Sequence, residues 1–189
     1  PVDGLLTDAV AAAAGARGIP IARAAFAGNR YDQSVIPLDW GVITPAWFLG
    51  HDRDMAGLGD PLAPTPEDSG PPMVIATPSR SLPRSTMLEF GAAIAEAAAR
   101  DGRRVASCDW GHTHRASGPY GFHPAAAEVD AFVVDALRAG EPRRLLALTD
   151  AQVGDAAVDG LWQALMLAGA LDHTPMRAEV LSYEAPDYF

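Results

Sequence analysis

The sequence predicts a single α/β domain, on three observations. Short apolar runs alternate with Ala- and Leu-rich stretches of helical period, glycines and prolines punctuate the joints, and 189 residues that are 49% hydrophobic suffice for one sizeable core. No repeat is visible. Read in order, the elements run strand, helix, strand, loop, helix, an α/β succession in which sites form at the carboxyl ends of strands.

Residues 3–16 predict a first helix, stopped by Gly15 and Gly18, with a strand to follow near 19–26. The apolar stretch from Val35 to Leu49 is broken by Pro37 and Pro45, and predicts a loop running into a short helix near 45–49. Across residues 51–72, Gly, Pro and Asp crowd out any regular element, leaving either a surface excursion over a site or a solvated connector. Met73 to Ala76 predicts a buried strand ended by Thr77, Pro78 and Ser79. Thr86 and Glu89 have capping-box spacing for a helix that buries Met87, Phe90, Gly91, Ile94 and Ala98 and ends at Gly102. Arg103 to Cys108 predicts the next strand. A helix with Pro124 in its first turn, apolar at Val129, Phe132, Val133, Ala136 and Leu137, ends at Gly140. A short helix near 142–148 and a longer one near 157–170 lead to a last strand, Glu179 to Tyr183.

Bulk properties exclude several classes. The net charge is −10, and the 14 basic residues are scattered arginines without a lysine, so the clustered basic face that nucleic acid requires is absent from the sequence. The lone Cys108 cannot form an internal disulfide and reads as cytosolic and reduced, which predicts a cytoplasmic protein. No apolar run approaches the roughly 20 residues that span a bilayer, and the Ala-rich N-terminus lacks the charged region of a signal peptide. The chain starts at Pro1 and enters a helical pattern at once. That start predicts an internal piece of a longer protein, with part of any site lying outside it.

The stretch from Cys108 to Pro124 holds His112, His114 and His123, three of the five histidines, in a Gly-rich loop after a predicted strand. Imidazole exchanges protons near neutral pH and ligates metals, so this loop is the candidate site. His112 and His114 form an H-x-H pair whose rings would share one side of an extended chain. Such a pair can bind a metal, and metal-dependent hydrolysis through it would predict zinc retention; the alternative is a structural hydrogen bond to backbone. Glu184 follows an apolar strand, either as a simply exposed side chain or as a ligand. Cys108 lies within a predicted strand, which favours a small buried hydrophobe over a nucleophile. No phosphate loop or Ser-centred nucleophile elbow is present in the sequence. The turn at Ser79, the histidine loop and Glu184 are predicted to open onto one edge.

Three blocks, Ile75 to Arg80, Asp109 to Pro124, and Leu181 to Pro186, resemble in order and spacing the class III extradiol ring-cleavage dioxygenases, in particular their catalytic B-subunit-like domain. Leu38 to Pro45 is similar to a further block, with one change. The resemblance implies a single-domain α/β sandwich over residues 1–189, with a central mixed sheet flanked by helices and the N-terminal segment missing. It implies a non-haem Fe(II) enzyme that opens a catechol- or aminophenol-type ring with O₂. The iron is held by two histidines and one glutamate, which leaves positions open for substrate and oxygen. On this resemblance His112 is the acid–base residue and Glu184 the carboxylate ligand, while Ser79, His114 and His123 contact substrate. Arg80 or Arg115 would attract a substrate carboxylate. The two iron-binding histidines have no match here and are expected upstream of Pro1. The block at Trp40 usually reads Asp-His-Gly; Trp40 cannot accept a proton, but it can pack against an aromatic substrate. That change motivates an alternative, a non-catalytic member acting as a binding or partner subunit. In either case the resemblance implies a homo-oligomer or pairing with another subunit.

Overall fold

The computed structural model describes residues 3–23, 39–51, 70–98 and 104–185. Its elements are helices α1 (Gly4–Ala16), α2 (Trp40–Phe48), α3 (Arg84–Ala97), α4 (Ala125–Arg138), α5 (Asp150–Asp155) and α6 (Leu161–His173), with a 3₁₀ turn at Pro142–Ala147.

The predicted central sheet is overturned. Among the described residues no strands pair into a sheet, and the bridge between His114 and Phe122 is an isolated one. Apart from a single bridge residue at Met73, the four expected strands are irregular chain where described; residues 24–26 and 103 fall outside the described set. Backbone groups in and just after them are paired elsewhere. The Met73 carbonyl accepts from Asp3 N at 3.0 Å, the Asp109 carbonyl from Gly160 N at 2.7 Å, and His112 N donates to the Ala156 carbonyl at 2.8 Å. Turns and helix ends therefore satisfy polar groups that a ladder would have used. Side chains that flanking helices would have covered stay outside: Val105 is 60% and Leu181 88% exposed. Short apolar runs do not by themselves specify strands, because a strand exists only with a partner.

The helices instead bury one another. The core centres on the crossing of α3 and α6, with α1 against α3, and with the 3₁₀ turn against α6 and α4. The crossing is close because both helices are bare where they meet. A methyl at Gly91 would overlap the Met166 carbonyl, and one at Gly169 the Leu88 carbonyl. Met87, Leu161 and Leu165 fill the space around this contact, and Val129 and Val133 of α4 complete the core.

Helix ends depart in part from the capping signals of the sequence. α3 begins at Arg84 after Pro83 with no side-chain cap, so Thr86 lies inside the helix rather than at its start. Among the described residues Thr149 and Gln152 form a capping box, which starts α5. Pro124 stands immediately before α4, and Gly140, at φ 69°, follows its end. The 51–72 segment lies almost wholly outside the described residues. No helix of the described residues is long and apolar enough to cross a membrane.

Candidate active site

The histidine loop leaves the core beside α6 and returns as α4. Thr113 Oγ1 donates to the Asp155 carbonyl at 2.9 Å, and His123 N to the Thr113 carbonyl at 2.8 Å, so the loop is pinned at both ends. Between the loop, α4 and the chain segment 180–185 lies a cleft of about 330 Å³. His112, His114, Asp130, Tyr183 and Glu184 are among its lining residues.

His112 is 3% exposed, and both ring nitrogens are engaged. Nδ1 lies 2.6 Å from the Ala157 carbonyl oxygen, and Nε2 lies 3.0 Å from Asp109 Oδ2. A carbonyl only accepts, so Nδ1 carries a proton. Nε2 faces the Asp109 carboxylate, which likewise only accepts, so as placed both ring nitrogens donate and His112 and Asp109 form a hydrogen-bonded pair. Tyr120 covers the imidazole, its ring tilted and 5.0 Å away.

His114 faces a different carboxylate. Its Nε2 is 2.9 Å from Asp130 Oδ2, which also accepts from the Tyr183 hydroxyl, while Asp130 Oδ1 accepts from Gly111 N at 2.8 Å. Asp130 is 4% exposed, and the three donors compensate its burial. Burial first, and then the hydrogen bond to Asp130, hold the Tyr183 phenol well above its ordinary range, so the hydroxyl remains the donor. The H-x-H pair therefore does not act as one chelating unit.

The other residues singled out from sequence lie as follows. Glu184 is exposed at the cleft. His123 lies outside the cleft lining, where its Nδ1 accepts from Ala125 N at 3.2 Å beside the start of α4. Trp40, 80% exposed, begins α2. Ser79 hydrogen-bonds Ser81, and the neighbouring Arg80 pairs with Asp159 and stacks over Trp162 at 4.7 Å. Cys108 lines the cleft, but burial, and next the charge of Asp109, push its thiol up to about 12. At neutral pH that sulfur is not a nucleophile.

Sequence reasoning assigned no role to Asp130, Asp109, Asp159 or Tyr183. Asp130 could have been found: with Ala126, Val129, Val133 and Ala136 it lies on the apolar face of α4, where a carboxylate must have partners.

The two-histidine, one-glutamate set is not assembled by the described residues. The group whose ligand atoms approach within 4.8 Å of one another is Asp109, His112 and Asp159, which excludes Glu184 and His114. Within that group Arg80 already neutralises Asp159, and Asp109 is hydrogen-bonded to His112. One imidazole with two paired carboxylates is not the iron-binding set of the resemblance.

Fold and cleft together define a helical scaffold carrying two imidazoles, each oriented by its own carboxylate. A family model for the catalytic LigB subunit of aromatic ring-opening dioxygenase matches residues 1–187, and the chain belongs to that family. The chain is also 31% identical over 80 residues to Protein CA_C1420 of Clostridium acetobutylicum, an alignment covering 42% of this chain and 17% of that protein. The chain thus spans well under half of that relative.

Proposed function

We propose that the full-length protein is an extradiol dioxygenase, using non-haem Fe(II) and O₂ to open a catechol- or aminophenol-type ring beside a hydroxyl. The observation that carries this reading is the engagement of His112, with Nδ1 protonated against Ala157 and Nε2 facing Asp109. In the proposed step a ring hydroxyl gives its proton to the hydrogen-bonded His112–Asp109 pair, which returns it later in the reaction. His114 orders the neighbouring cleft wall, and the apolar lining from Val133, Val134 and Leu137 suits an aromatic ring. Glu184 is the carboxylate ligand in this reading, and the histidine ligands come from elsewhere in the full-length protein.

The test is oxygen uptake by full-length protein loaded with Fe(II) under anaerobic conditions and mixed with a panel of catechols and aminophenols. Uptake with a yellow semialdehyde product is expected. Stoichiometric iron with no uptake across the panel would remove the enzymatic reading.

One observation favours a second reading, in which the chain is a non-catalytic partner subunit. Trp40, Trp47 and Phe48 of α2 are 80%, 46% and 71% exposed, a surface suited to another protein. That reading predicts a stable complex with a second subunit and no oxygen uptake by this protein alone.

A further inference from the structure

Asp130 receives three donors from two separate stretches of chain: the Gly111 amide and the His114 ring from the histidine loop, and the Tyr183 hydroxyl from the segment before Glu184. It projects from the middle of α4, is nearly fully buried, and lines the cleft. A carboxylate accepts and does not donate, so its partner nitrogen on His114, Nε2, bears the hydrogen. In the neutral ring the remaining nitrogen, Nδ1, then holds the lone pair. The neighbours of Tyr183 in sequence, Ser182 and Glu184, line the same cleft, so the residue that anchors the phenol also anchors their stretch of chain.

We propose that Asp130 is the positioning residue of this cleft, holding His114 as the tautomer with an unprotonated Nδ1 and tethering Tyr183 so that Glu184 is fixed at the cleft wall. The logic is that of a carboxylate behind a functional histidine, where the outer partner sets ring orientation and tautomer. The kinetic consequence rests on the ring-opening reading; the tautomer and the tether do not.

The test uses ¹⁵N-labelled full-length protein, in which the ring nitrogens of His114 are followed by NMR in wild type, Asp130→Asn and Tyr183→Phe. Wild type is expected to show a protonated Nε2 and a lone pair on Nδ1. Asp130→Asn should lose that single tautomer, whereas Tyr183→Phe should keep it and speed amide exchange over residues 182–185. A folded Asp130→Asn with the tautomer unchanged overturns the proposal. Should Asp130→Asn fail to fold, the Tyr183→Phe arm decides, and unchanged exchange over 182–185 overturns it. If the protein turns over a catechol, both variants should lower kcat/KM about 10- to 100-fold. Absence of any turnover counts against the ring-opening reading and leaves the NMR result standing.

Discussion

Ala157 offers its carbonyl oxygen to His112 Nδ1 at 2.6 Å while its own backbone sits in the left-handed region, at φ 49°. The residue that holds the Nδ1 hydrogen of His112 is thus itself strained, a cost of about 1–2 kcal/mol for a side chain bearing Cβ. Ala157→Gly should relieve that strain. The greater freedom of glycine in the unfolded chain takes back roughly 0.4–1 kcal/mol, so the net expectation is a gain of about 0.5–1 kcal/mol in urea denaturation. Ala157→Val should lose more than about 1 kcal/mol, because a β-branched residue tolerates this region poorly.

At the α3–α6 crossing two effects oppose each other in Gly91→Ala and Gly169→Ala. Alanine improves helix propensity by about 1 kcal/mol. The added methyl, however, overlaps a backbone carbonyl, which cannot swing aside as a flexible side chain would. Overlap should win, with each variant destabilised by roughly 1–3 kcal/mol in chemical denaturation.

Cys108 gives a pH dependence of known sign. Its thiol is raised from an ordinary value of 9.0 to about 12. The folded state therefore favours the protonated form, and this contribution is fully present below pH 9 and lost as pH rises towards 12. Cys108→Ala should flatten the decline in stability across that window. Alkylation of the folded wild type at pH 8 should be slow, and rapid modification would contradict the burial.

Trp40 is 80% exposed, so Trp40→Ala should leave the melting temperature nearly unchanged. If the indole stacks on an aromatic substrate, KM should rise with little change in kcat. A large fall in kcat would assign Trp40 a part in the chemistry rather than in binding.

What was legible in the sequence follows a physical division. α1, α4 and α6 were readable because their apolar period and their Gly or Pro boundaries are local properties. The Glu179–Tyr183 segment read as a strand because its apolar residues match a buried run, yet strand pairing depends on distant chain that local pattern does not encode. The histidine loop was found from composition alone. Its organisation was not, because His112 is set by Ala157 and Asp109, and His114 by Asp130, and two of those three partners lie 16 or more residues from their histidine. H-x-H spacing suggested one shared ligand, while the two rings turn to different carboxylates.

The central claim is that His112 moves the substrate proton. The most direct measurement compares oxygen uptake by full-length wild type and His112→Gln, at equal bound iron, on the best substrate of the catechol panel. The account predicts a loss of about 10²- to 10⁴-fold in kcat for the variant with iron content retained. Activity within a few-fold of wild type would contradict it.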